Sequence, residues 1–115
     1  MMPLNLTQHT TTFATSPQLQ PEDLLSVAQA GFKTVINNRP DGEGGADQPT
    51  SDRIALAAKA VGLTYHHLPV ISGQMTPDQI QAFAKLLENS QAPILAFCRS
   101  GTRSTNLWKM ASDQA

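Results

Sequence analysis

One cysteine, one tryptophan, one tyrosine and four phenylalanines supply all the thiol and aromatic side chains in a chain of 115 residues. A lone cysteine excludes an internal disulfide and leaves too few thiolates for a structural zinc site. Such thiol usage fits a reducing compartment. An excess of charge is missing as well. Eight basic side chains against nine acidic ones give a formal net charge of −1, so no global basic surface argues for nucleic acid or membrane binding. No apolar run approaches the roughly 18 residues that a membrane span needs. The opening Met1-Met2-Pro3-Leu4-Asn5-Leu6-Thr7-Gln8 has neither a basic stretch nor an apolar one, so it does not read as a signal peptide. The expectation is a soluble, cytoplasmic protein of one domain, residues 1–115, with a modest core.

What is present is a regular alternation of helical and extended patterns. The Thr-rich opening suggests short strands around Asn5–Thr7 and Thr12–Ala14. From Pro21 the pattern is clearer. Pro21-Glu22-Asp23 makes a good first helical turn, Leu24, Val27 and Ala28 follow at helical spacing, and Gly31 ends the run. Phe32–Asn37 reads as a strand, and Arg39–Pro49, rich in glycine, proline and acids, as a loop. Ser51 is placed to cap a second helix carrying Ile54, Ala57, Ala58 and Val61 on one face, with Gly62 as its stop. Leu63–Leu68 is the next strand. Thr76-Pro77 opens a third helix with Ile80, Phe83, Ala84 and Leu87 as its apolar stripe, Ile94–Phe97 is a strand, and a last helix starts near Thr102. The fold class is α/β, with right-handed crossovers and a mostly parallel sheet flanked by helices. Ligands in such sheets bind beyond the carboxyl ends of the strands, which brings together three loops, 38–49, 69–75 and 98–103.

The cysteine stands in Cys98-Arg99-Ser100-Gly101-Thr102-Arg103-Ser104, between the last strand and the last helix. Helix-start N–H groups, the helix dipole and two arginines around a glycine are the ingredients of an oxyanion site. The same field favours thiolate over thiol and so makes a nucleophile. One chemistry that follows is phosphate ester hydrolysis. Cys98 attacks phosphorus, while Arg103 and the N–H groups of Arg99, Ser100, Gly101 and Thr102 hold the equatorial oxygens. Ser104 is placed to hydrogen-bond the sulfur, and Arg39 is a candidate second phosphate contact. The substrate is then a phosphoprotein or a small phosphate ester. A plain structural role for Cys98 is a small buried residue at a strand end. Two further readings stay open: sulfur transfer through a Cys98 persulfide, and an anion-binding module without catalysis.

The loop resembles two families. Cysteine-dependent phosphatases carry five residues between cysteine and arginine; here there are four, as in rhodanese-type sulfurtransferases, whose loop often reads Cys-Arg-Ser-Gly. A short loop suits a persulfide. The rest of the chain carries none of the rhodanese segments. Instead Phe32-Lys33-Thr34-Val35-Ile36-Asn37-Asn38-Arg39-Pro40-Asp41-Gly42-Glu43, Gln48-Pro49, Gly62-Leu63-Thr64-Tyr65, Leu68-Pro69-Val70, Cys98–Ser104 and Trp108 resemble the phosphatase-like domain of beta-lactamase hydrolase-like proteins. That resemblance spans about residues 4–112. It implies the protein-tyrosine-phosphatase (dual-specificity) fold and a hydrolase; in some relatives a metallo-β-lactamase-fold domain is attached. Dual-specificity phosphatases place an acidic residue just after the strand equivalent to Tyr65–Val70, where this chain has Ile71-Ser72-Gly73. Asp41 is the substitute general acid, with Glu43 and Asp47 behind it, although Pro40-Asp41-Gly42 is also ordinary turn chemistry. No cofactor and no metal are expected, because His66 and His67 point to opposite faces of a strand and His9 adds no ligand spacing. Trp108 and Met110 are expected to pack, and oligomeric state is not readable.

Overall fold

The structure is a computed structural model that describes residues 4–113. Five strands, β1 (Thr7–Thr10), β2 (Phe13–Ser16), β3 (Thr34–Asn37), β4 (Thr64–His67) and β5 (Ile94–Phe97), form one sheet in the order β1-β2-β5-β3-β4. Only the β1–β2 hairpin is antiparallel; every other pair is parallel. Helices α1 (Leu24–Gln29), α2 (Ser51–Ala60) and α3 (Pro77–Asn89) supply the crossovers, α1 being led in by a 3₁₀ turn at Pro21–Asp23, and α4 (Thr102–Asp113) follows the last strand. This is the α/β, mostly parallel architecture that the alternation of patterns predicts.

Strand geometry divides the core in two. Successive side chains of a strand point to opposite faces. Val35, Leu95, Phe97 and Ala14 therefore pack with Leu24 and Val27 of α1 and Ile54 and Ala58 of α2. Ile36, Ile94, Ala96 and Phe13 pack on the other side with Ile80 and Phe83 of α3 and Leu107 and Ala111 of α4. Register keeps the faces separate: Phe13 and Thr34 lie level with Ile94, and Ala14 and Val35 with Leu95. A one-residue slip would turn each set toward the wrong helices. Phe83 and Leu107 are fully buried, each stabilising the fold by about 1.5–3 kcal/mol.

Two local expectations are corrected. The helix cap before α2 is Thr50, whose hydroxyl accepts from Arg53 N at 3.3 Å; Ser51 is the first helical residue, and its Oγ lies 2.7 Å from the Tyr65 hydroxyl. The amino-terminal strands sit two residues or so later than Asn5–Thr7 and Thr12–Ala14, with an irregularity between Gln8 and Thr10. β2 is covered on both faces, so even Thr15 and Ser16 are buried, and no polar–apolar alternation marks it in the sequence. The cap of α3 follows expectation. Thr76 Oγ1 accepts from Gln79 N at 3.2 Å while Thr76 N donates to Gln79 Oε1 at 2.9 Å, a reciprocal box. Among the described residues no helix is long and apolar enough to cross a membrane.

Candidate active site

At the carboxyl edge of the sheet β5 ends on Phe97, and Cys98 is the next residue, with no solvent exposure at all. The chain then turns so that Gly101 N donates to Cys98 Sγ at 3.1 Å. Gly101 adopts φ +93°, a conformation that strains L side chains, and a Cβ there would lie 3.3 Å from Ser16 O. Glycine is required on both counts. Ser100 then hands the chain to α4: its hydroxyl accepts from Thr102 N at 3.4 Å and donates to Thr102 Oγ1 at 3.0 Å. The first N–H groups of a helix have no carbonyl partner within it, so this end of α4 presents free donors and the positive end of the helix dipole.

Arg103 follows in the first turn of α4, its side chain only 11% exposed. Its Nη1 donates to Glu43 Oε2 at 2.8 Å and to Val70 O at 2.9 Å, and its Nη2 donates to Glu43 Oε1 at 2.7 Å. A guanidinium has five N–H donors, so two remain beyond these three bonds, and the Cys98 sulfur is within their reach. The hydrogen bonds to Glu43 push the Arg103 pKa up against desolvation, and the nearby Cys98 adds to the rise. Glu43 also accepts from Arg39 Nε at 3.0 Å, and Arg39 Nη1 donates to Gln18 Oε1 at 3.0 Å. The Arg103 hydrogen bonds, opposed by partial burial and aided by Arg39, hold the Glu43 carboxyl below its ordinary range.

Beneath this ion cluster lies a buried amide. Asn38 Nδ2 donates to Leu68 O at 3.0 Å, and its Oδ1 accepts from the Ser104 hydroxyl at 2.8 Å. One side chain thus ties the ends of β3 and β4 to the start of α4. Main-chain bonds run parallel to it, Asn38 N to Phe97 O at 2.8 Å and Val70 N to Asn38 O at 3.0 Å.

The candidate residues separate into groups. Arg39, Arg99, Ser100, Thr102 and Arg103 line one open cleft with Glu43 and the stretch from Val70 to Gly73, so the three loops expected at this edge do meet. Cys98 and Gly101 do not line this cleft; both are buried. Ser104 differs from expectation. It is fully buried, and its hydroxyl serves Asn38, while the sulfur takes its donor from the Gly101 main chain. Asp41 differs too. Its Oδ1 accepts from Ser51 N at 2.7 Å, which turns the carboxylate toward the positive end of α2 instead of the cleft. Met110 is 49% exposed on the cleft wall, whereas Trp108 packs as expected, stacked on Phe13 at 5.5 Å. Asn38, Gln18 and the Val70 carbonyl carry no sequence signal. Glu43 appears there as a reserve acid behind Asp41, whereas the structure pairs it with Arg103 and Arg39.

Comparison with known proteins agrees with this architecture. The family model described as the phosphatase-like domain of beta-lactamase hydrolase-like protein matches residues 5–115. The beta-lactamase hydrolase-like protein of Xylella fastidiosa is 36% identical over 98 residues, 85% of this chain and 22% of that protein. The chain therefore spans about a fifth of the length of the curated relative it matches. A crystal structure of a candidate phosphatase from Neisseria meningitidis superposes with a TM-score of 0.80 at 37% identity, covering 86% of this chain and 70% of the other. The active form of Tk-PTP shares the fold at 17% identity, with a TM-score of 0.68 over 98% of this chain and 83% of the other.

Proposed function

The chain belongs to the phosphatase-like domain family of beta-lactamase hydrolase-like proteins, and from that premise we propose that it hydrolyses phosphate monoesters through a phosphocysteine on Cys98. The Cys98 thiolate attacks phosphorus in line. The free N–H groups of the loop and the first turn of α4, with the unoccupied donors of Arg103, hold the equatorial oxygens as charge gathers on them. Arg99, Ser100 and Thr102 stand at the rim toward the substrate, and Arg39 acts through Glu43 by fixing the carboxylate that fixes Arg103. The observation that carries this reading is the sulfur at the base of the loop, with a main-chain N–H directed at it from 3.1 Å and Arg103 beside it. A nucleophile in this place stands next to donors that suit the oxyanion of its electrophile.

One observation favours a second chemistry. Four residues separate Cys98 from Arg103, and the sulfur is wholly buried, which suits a compact persulfide in a sulfurtransferase. A paired assay separates the two: phosphate released from an aryl phosphate, and thiocyanate formed from thiosulfate and cyanide, each with wild type and Cys98→Ser. Phosphate release that disappears in the variant, without thiocyanate, is the expected result. Thiocyanate alone assigns the site to sulfur transfer, and silence in both arms returns it to anion binding.

A further inference from the structure

Hydrolysis of an ordinary ester needs a proton delivered to the departing oxygen, and the cleft offers no group free to deliver it. Among the described residues lining it, Glu43 is the one carboxylate, and no histidine, lysine, tyrosine or cysteine joins it. Residues 1–3 and 114–115, which lie outside the description, carry no side chain of these kinds. Both Glu43 oxygens are engaged, Oε1 by Arg39 Nε and Arg103 Nη2 and Oε2 by Arg103 Nη1. A carboxylate so paired is held in its ionised form, the reverse of what a general acid requires. Asp41, on the same loop, is turned to Ser51 N. The stretch after β4 brings the exposed apolar Ile71 to the cleft, and Met110 lines its wall. These side chains offer contact to an organic group but no proton.

Building on the phosphatase reading above, we propose that the site takes activated phosphoryl donors, acyl phosphates and aryl phosphates of acidic phenols, whose leaving group departs as an anion. The chemistry balances without an acid. The Cys98 thiolate forms the S–P bond as the P–O bond to the leaving group breaks, and that oxygen keeps the electron pair. Water then attacks phosphorus, the S–P bond breaks with its pair returning to sulfur, and the water's protons leave on inorganic phosphate. Alkyl phosphates, whose alkoxides are strong bases, fail at the first step. Glu43 acts as a positioning residue for Arg103, not as a proton donor.

The test is a series of leaving groups: para-nitrophenyl phosphate, acetyl phosphate, phenyl phosphate and beta-glycerol phosphate, followed by phosphate release with wild type, Cys98→Ser and Glu43→Gln. The expected kcat/KM for the first two exceeds that for phenyl phosphate by about a hundredfold, the lower range of what a general acid contributes. The alkyl ester is expected to stay inert. Glu43→Gln is expected to lower all active substrates by a similar factor, and the wild-type rate to hold level on the alkaline side. Equal rates for the nitrophenyl and phenyl esters overturn the proposal, as does a Glu43→Gln loss confined to phenyl phosphate, which would make Glu43 the acid. Release from no member of the series, not even the best leaving group, overturns the phosphatase reading itself and this proposal with it.

Discussion

The two loops that face each other across the cleft are held by different proportions of main-chain and side-chain bonding. On the cysteine side the shape comes from the main chain: a positive-φ glycine backed against Ser16, an amide directed at sulfur, a helix start. On the Arg39–Pro49 side main-chain turns, with Glu43 N on Pro40 O, Gly45 N on Gly42 O and Gln48 N on Gly45 O, are supplemented by a set of side-chain bonds. Asn37 Oδ1 accepts from Arg39 N at 2.8 Å, Asp41 from Ser51 N, Glu43 from two arginines, and Gln48 bridges Pro40 O and Gly44 N at 2.9 and 2.7 Å. The cysteine loop therefore rests chiefly on its backbone, while the facing loop draws in addition on Asn37, Asp41, Glu43 and Gln48. Asp41 and Glu43 are engaged in holding structure, which is why the number of acids on that loop is a poor guide to acid catalysis.

The sharpest test of the main-chain side removes its sulfur, the proposed nucleophile. Cys98→Ser is expected to lower phosphate release by roughly a thousandfold or more with an unchanged melting curve, since removing a nucleophile collapses the whole catalytic unit. A residual rate close to wild type would place the chemistry elsewhere. Next comes Gly101→Ala, which forces a side chain into φ +93° and against Ser16 O. The expected loss is about 1–3 kcal/mol in denaturant unfolding, together with weaker binding of inorganic phosphate; an unchanged midpoint would refute the claim that the cradle needs glycine.

The facing loop is probed more gently. Asn38→Ala leaves the Ser104 hydroxyl buried without its acceptor and frees Leu68 O, for an expected loss of about 1–3 kcal/mol. Glu43→Gln is the pH test. The Glu43 carboxyl is held below its ordinary value of 4.5, so its ionised form contributes stability that is present above that value and fades as pH falls through the depressed one. Wild type is expected to lose up to about 1 kcal/mol over that acidic window, the size of a partly exposed pair, and the variant to show a flatter curve there. Smallest of all is Asp41→Asn, whose amide oxygen can still accept from Ser51 N; stability is expected to change by less than about 1 kcal/mol through the lost charge at α2. A drop of two orders of magnitude in turnover instead would restore Asp41 as the acid.

How much of this was legible in the sequence follows from distance along the chain. The elements from Pro21 onward are local periodicities, and the 3.6-residue stripe of Ile80 and Phe83 or the cap at Thr76 can be read within a dozen residues. The cysteine loop is local too, so the turn after β5 and the start of α4 can be read from seven consecutive residues. The hairpin was misplaced because burial by β5 and α4, not its own pattern, decides which Thr and Ser are covered. What stayed hidden links distant residues: Arg103 and Glu43 are 60 positions apart, and Ser104 and Asn38 are 66. No spacing rule pairs such residues, and the sequence offered two nearer uses for them, Ser104 on the sulfur and Asp41 as the acid.

The Val70 carbonyl on Arg103 and the Gly101 amide on Cys98 share a property that matters for genetics. Both are contributed by backbone that every amino acid except proline, on the amide side, carries alike. A scan of side-chain substitutions at position 70 would record only the packing of a buried valine, and one at position 101 only the conformational penalty. The contact on the Cys98 sulfur and the one on the Arg103 guanidinium are thus silent to conventional mutagenesis, and they become visible when an amide is replaced by an ester in a semisynthetic chain.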